Sequence, residues 1–160
     1  MLRLRSTSLV DTHAIAAAVA RLVRAGDIVI LAGDMGAGKT AFAQGFGAAL
    51  GVTDHITSPT YNLVHSHPAG KLTLHHADLY RLSTQHEVAD LALAELAEAD
   101  GIVLIEWGDV VAGSFGDHLL VQLTADDEVD DARDVQVTGV GRSWAVRWTH
   151  LADDLARFAC

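Results

Sequence analysis

Apolar residues recur at Ile15, Val19, Leu22 and Val23, the i, i+4, i+7, i+8 spacing of an amphipathic helix over residues 10–25 that Gly26 is placed to end. The pattern then changes. Asp27 to Ala32 is almost wholly apolar, as expected of a strand covered on both faces in a parallel sheet. Helical spacing returns from Lys39 to Leu50 and stops at Gly51. Between Thr57 and Tyr80 the period drops to two. Tyr61, Leu63 and His65 fall on one side, and Leu72, Leu74 and His76 follow a turn-like Pro68-Ala69-Gly70-Lys71, which predicts a β-hairpin. Thr84 and Glu87 have capping-box spacing ahead of Val88, Leu91, Leu93 and Leu96, predicting a helix that ends near Gly101. Ile102 to Ile105 reads as a second buried strand, ending in Glu106-Trp107. Two later strands, about 118–123 and 133–140, lead to a helix with Trp144, Trp148, Leu151 and Leu155 on one stripe.

Strands and helices alternate with no repeat, low-complexity segment or linker, and 160 residues suit one compact domain. Half the residues are apolar, yet no stretch nears the roughly 20 residues of a membrane span, and the start MLRLRSTSLV lacks the apolar core of a secretion signal. The expectation is a soluble cytoplasmic protein. Cys160 is the sole cysteine, so no intrachain disulfide can form. Twenty-one acidic against eleven basic side chains leave a net charge of −10, which opposes direct attraction to a polyanion. A nucleic-acid role would then run through a partner. The acidic cluster from Asp126 to Asp131 reads as a solvated turn between strands.

Chemistry enters at Gly33-Asp34-Met35-Gly36-Ala37-Gly38-Lys39-Thr40, a G-x-x-x-x-G-K-T between the first buried strand and the helix from Lys39. In that setting backbone N–H groups of Asp34, Gly36, Ala37 and Gly38 cradle a polyphosphate, Lys39 reaches its β/γ oxygens, and Thr40 binds Mg²⁺ at the helix N-terminus. The expected fold is therefore α/β and P-loop NTPase-like: a mainly parallel central sheet flanked by helices, with an inserted antiparallel hairpin, over residues 1–160. The expected ligands are Mg²⁺ and ATP or GTP, with the absence of an Asn-Lys-x-Asp guanine-reading motif favouring ATP. Glu106, directly after the second apolar strand, has the placement of a carboxylate near the metal; the alternative is a rim carboxylate paired with a surface cation. Asp78 either faces the γ-phosphate, orienting water or holding Mg²⁺ through water, or pairs with Arg81. Thr57 to Tyr61 is either a γ-phosphate-sensing loop or an ordinary polar turn. Nine histidines suggest a metal site, but adjacent His75 and His76 face opposite sides of a strand and His65/His67 read as a solvated edge.

Together these pieces resemble the TsaE (YjeE) family of bacterial ATPases. The resemblance rests on GDMGAGKT at 33–40, Gln44-Gly45, Leu50-Gly51, SPTY at 58–61, His76-Ala77-Asp78-Leu79-Tyr80-Arg81 and Leu104-Ile105-Glu106-Trp107. It implies an ATPase required for threonylcarbamoyladenosine at position 37 of tRNA, acting with a TsaD-like transferase subunit and its TsaB-like paralogue and meeting tRNA only through that complex. Residue by residue it implies that Lys39, Asp78 and Glu106 are catalytic and that Thr40 and Glu106 ligate Mg²⁺. It also places Thr60 in a switch-like loop, Trp107 beside the metal and Arg133 near the nucleotide, with Ser8 to Thr12 bordering the adenine. Gly108-Asp109 departs from the family's usual proline-glutamate, which leaves that second carboxylate without an implied role. Two rivals stay open on residues alone: a small P-loop kinase, although no Arg-rich lid is evident, and a nucleotide-dependent binding module that does not turn over.

Overall fold

The computed structural model describes residues 1–57, 64–79, 92–106 and 115–160. Among these residues seven strands form one sheet: β1 (Leu2–Ser6), β2 (Ile28–Ala32), β3 (Val64–Ala69), β4 (Leu72–Asp78), β5 (Gly101–Glu106), β6 (His118–Ala125) and β7 (Arg133–Val140), in the order β1-β7-β6-β2-β5-β4-β3. The centre is parallel, with β2 between β6 and β5 and β4 beside β5. The margins are antiparallel, β1 on β7 on β6 at one side and the β3–β4 hairpin at the other. Every residue of β2 and β5 is buried, the expected result of near-continuous apolar runs covered on both faces.

Alternate residues of those strands serve two cores. Val29, Leu31, Leu74, Ile102 and Leu104 pack with Phe42 and Phe46 of α2 (Lys39–Leu50) and with Ile15 and Val19 of α1 (Leu9–Leu22). Ile28, Ile30, Ala77, Val103 and Ile105 point the other way, against Leu93 and Ala97 of α3 (Leu93–Glu98). α1 and α2 approach closely at Gly45, where an added Cβ would lie 2.8 Å from the His13 Cα.

Four features differ from the sequence expectation. β1 was not anticipated, because Leu2-Arg3-Leu4-Arg5 is a short alternation on an edge; Leu4 is buried and pairs with Val135 of β7. α1 ends at Leu22, and Gly26 (φ +96°) lies in the following turn with its N–H on the Gly101 carbonyl. The hairpin turn is tighter than expected, with Pro68 and Ala69 inside β3. Proline is tolerated there because β3 is the sheet edge. The C-terminal helix is broken into α4 (Arg142–Ala145), α5 (Trp148–Asp154) and a 3₁₀ turn at Ala156–Phe158. At the first break Arg147 turns inward to the Asp27 carboxylate and the Leu22 carbonyl. The helix start expected at Thr84 and Glu87 lies outside the described residues, while its C-terminal part is α3.

Candidate active site

The phosphate-type loop leaves β2 at Gly33 and enters α2 at Lys39. Gly33 has φ +149°, and a Cβ there would lie 2.4 Å from the Leu123 carbonyl oxygen, so the loop turns tightly over β6. Gly38 (φ +103°) occupies the cap of α2 and supplies no side chain to its first N–H groups. Those donors and the positive end of the helix dipole therefore face the loop interior. Arg133, the first residue of β7, braces the loop from outside: its Nε donates to the Ala37 carbonyl at 3.0 Å and its Nη2 to that of Gly36 at 3.4 Å. A trans peptide sets N–H opposite C=O, so the held Ala37 carbonyl turns the Gly38 N–H away from Arg133. Lys39 is buried, with its ammonium donating to the carbonyls of Gly33 (2.5 Å) and Asp34 (3.0 Å) across the loop. Thr40 follows at the first turn of α2, half-buried.

Two carboxylates stand beside this loop because of strand register. Leu31 of β2 is level with Glu106 of β5, and Glu106 is level with Asp78 of β4. Their positions share the face that carries Leu74 and Leu104 toward α2. All three strands end here at their carboxyl ends, where open α/β sheets place ligands. Glu106 is 2% exposed and Asp78 half-buried. Asp78 and Glu106 thus end the two strands that follow β2 across the sheet, and the loop leaving β2 leads to Lys39 and Thr40. Thr60, Trp107 and the Arg81 offered as a partner for Asp78 lie outside the described residues.

Polar groups elsewhere are less available to a ligand. Ser8 caps α1 by accepting from the Asp11 N–H, and Ser6 and Thr12 share a hydroxyl hydrogen bond at 2.8 Å. Thr7 donates its N–H and hydroxyl to Asp11, which lowers that carboxyl's pKa. The hydroxyls of the Ser8 to Thr12 region thus serve their own turn. His67 is buried rather than on a solvated edge, its Nδ1 3.7 Å from Asp54.

Comparison with known proteins decides the family. A model described as "Threonylcarbamoyl adenosine biosynthesis protein TsaE" matches residues 6–135. The chain belongs to the TsaE family. The TsaE match spans the loop, Asp78 and Glu106 and closes just beyond Arg133, so it contains every part of the site. Among TsaE relatives, a Bacillus subtilis (strain 168) protein is 35% identical over 156 residues, covering 98% of this chain and 94% of the relative. A Streptomyces coelicolor TsaE is 38% identical over 133 residues, 79% of this chain and 89% of the relative. Both are named "tRNA threonylcarbamoyladenosine biosynthesis protein TsaE". The crystal structure of Bacillus subtilis YdiB superposes with a TM-score of 0.76 at 29% identity, covering 98% of this chain and 94% of that one.

One residue beside the candidate site was missed as chemistry in the sequence. His76 is fully buried, and its Nε2 lies 2.7 Å from Glu106 Oε2. Alternation had put His76 on the side of Leu74, but pairing with a residue 30 positions away has no local signal.

Proposed function

We propose that this chain is an ATPase serving the formation of threonylcarbamoyladenosine in tRNA, working in the cytoplasm with TsaD-like and TsaB-like protein subunits. The observation that carries the reading is the level placement of Asp78 and Glu106 beside the strand that delivers a glycine-rich, arginine-braced loop. The donor set fits a magnesium-bound triphosphate: uncapped helix N–H groups and an ammonium for phosphate oxygens, a hydroxyl and a carboxylate for a hard cation. When bound, magnesium would supply charge neutralisation to the phosphate tail.

The chain's own residues divide the work. Backbone N–H groups around Gly36 to Gly38 hold phosphate, and Lys39 exchanges its loop carbonyls for β/γ oxygens. Thr40 and Glu106 hold the cation. Asp78 orients the attacking water, its neighbour Glu106 keeping a second negative group close. Trp107 and Thr60 complete the site in the family resemblance. A net charge of −10 disfavours direct tRNA binding, so tRNA is met through the partner subunits. Hydrolysis in isolation is slow in this reading and is stimulated in the complex, since stabilising the developing charge in trans contributes on the order of 10³–10⁵ in related phosphoryl transfers.

Phosphate release from ATP, measured for the wild-type chain and Glu106→Ala with and without the two candidate subunits, tests the proposal. Partner-stimulated release that Glu106→Ala abolishes supports it. ADP formed only when a phosphate acceptor is added identifies a kinase instead, and equal multi-turnover tRNA modification by both proteins removes hydrolysis from the cycle.

A further inference from the structure

β4 and β5 place a histidine next to the two acids at the mouth of the site. His76 is level with Leu104, one step below the Asp78–Glu106 pair on the same face of the sheet. Its ring reaches diagonally up to the Glu106 carboxylate, Nε2 to Oε2 at 2.7 Å, and has no exposed surface. When Glu106 is ionised its carboxylate only accepts hydrogen bonds, and Nε2–H is then the donor. Nδ1 is buried and has no hydrogen-bond partner among the described residues. Among the described residues the ring therefore makes its one polar contact with Glu106.

The terminal torsion of a glutamate is broad and two-fold, and a free carboxylate offers either oxygen. Here Oε2 is tied from below, and no hydrogen bond to Oε1 is found among the described residues. We propose that His76 is a positioning residue that holds Glu106 with Oε1 presented to the cation side of the site. This rests on the reading of Glu106 as a cation-holding group. Groups that orient a ligating side chain typically change metal affinity or activity by 10–100-fold when removed. The competing account is that His76 only satisfies a buried carboxylate for stability.

Mn²⁺ affinity separates them. Free Mn²⁺ is followed by electron paramagnetic resonance while the full chain is titrated in the presence of a non-hydrolysable ATP analogue, with thermal melts alongside. The proteins are wild type, Glu106→Gln, His76→Asn, His76→Gln and the double variant His76→Asn/Glu106→Gln. Asn places its amide near Nδ1 and loses the contact, whereas Gln extends an N–H toward the Nε2 position. The expected results are Mn²⁺ binding weakened about tenfold by His76→Asn, restored to within twofold by His76→Gln, and not weakened further by His76→Asn in the Glu106→Gln background. Nucleotide affinity without divalent cation is unchanged in the two His76 single variants. Wild-type Mn²⁺ affinity in His76→Asn, equal losses for Asn and Gln, or the same loss added on top of Glu106→Gln overturns the inference. Should His76→Asn fail to fold, His76→Phe, which has no donor, takes its place: a tenfold loss that His76→Gln restores supports the role, and wild-type affinity overturns it. If Glu106→Gln itself leaves Mn²⁺ affinity unchanged, the functional reading of Glu106 fails first; a loss there with none in His76→Asn sinks only the role of His76.

Discussion

Removing Arg147 isolates the largest buried ionic contact among the described residues. Its guanidinium donates twice to Asp27 (2.6 and 3.0 Å), once to the Leu22 carbonyl and twice to Ser143, with its plane 3.9 Å from the Trp144 ring centre. Both partners are nearly inaccessible, at 4% and 8% exposure. Arg147→Ala leaves the Asp27 carboxylate buried with, among the described residues, the Arg24 N–H alone. Stranding one member of such a pair costs about 3–5 kcal/mol. At about 2–4 °C per kcal/mol for a chain of this size, 4 kcal/mol corresponds to a fall in melting temperature of about 8–16 °C. Asp27→Asn in an Arg147→Met background removes both charges and keeps an acceptor for the Arg24 N–H. It should recover at least about 2 kcal/mol relative to Arg147→Ala, because replacing the whole pair is far cheaper than breaking it. Urea unfolding of the three proteins measures both quantities. A loss below 1 kcal/mol for Arg147→Ala, or no recovery in the double variant, would refute the argument. Nucleotide affinity at 25 °C should not change, because Asp27 precedes β2 and the loop follows it.

Gly45→Ala should destabilise by about 1–2 kcal/mol, the overpacking of α1 against α2 outweighing the roughly 1 kcal/mol that Ala brings to a helix interior. Gly47→Ala should cost less, because its Cβ clashes with the movable end of Ile56 and meets Leu74 at an ordinary 3.5 Å; calorimetry that ranks the two the other way contradicts the packing account. Arg133→Gln should weaken ADP binding about tenfold and lower the melting temperature by several degrees, since charge-assisted bonds of about 1.5–3 kcal/mol to the Gly36 and Ala37 carbonyls are lost together with those to the Asp130 and Ala132 carbonyls; calorimetric titration showing wild-type affinity would remove the brace. The Asp126 carboxyl is held down at about 2 by the Arg5 guanidinium and then by the Glu128 and Val129 N–H groups. Its folded pKa lies below the ordinary 3.8, so its contribution is complete above about pH 4 and lost as pH falls toward 2. The stability gap between wild type and Asp126→Asn should therefore close over that window, and a gap that persists at pH 2 counts against the assignment.

What could be read in advance followed from how local each signal is. α2 and β7 have the expected ends, because a glycine stop and a sharp change of period mark them. The loop from Gly33 to Thr40 and the strand-end position of Glu106 were also legible, since a motif and an apolar run define each. Alternation gave the hairpin, but whether Pro68 belonged to turn or strand depended on β3 being an edge, which only the assembled sheet decides. The C-terminal stripe read as one helix because Trp144, Trp148, Leu151 and Leu155 keep helical spacing. The break comes from a contact between Arg147 and Asp27, 120 residues apart. His76 and Arg133 are of the same kind: their contacts join residues distant in sequence and leave no periodic trace.

The level arrangement of Leu31, Glu106 and Asp78 has a consequence for how this site can change. Neighbouring strands are about 4.8 Å apart, and that interval is enforced by backbone hydrogen bonding rather than by any loop. The separation of the two acids behaves like a ruled distance. Sliding a strand by one residue would not stretch it but would turn an acid to the far side of the sheet. Control over such a centre must therefore come from what is brought across its mouth, because its floor has no intermediate setting.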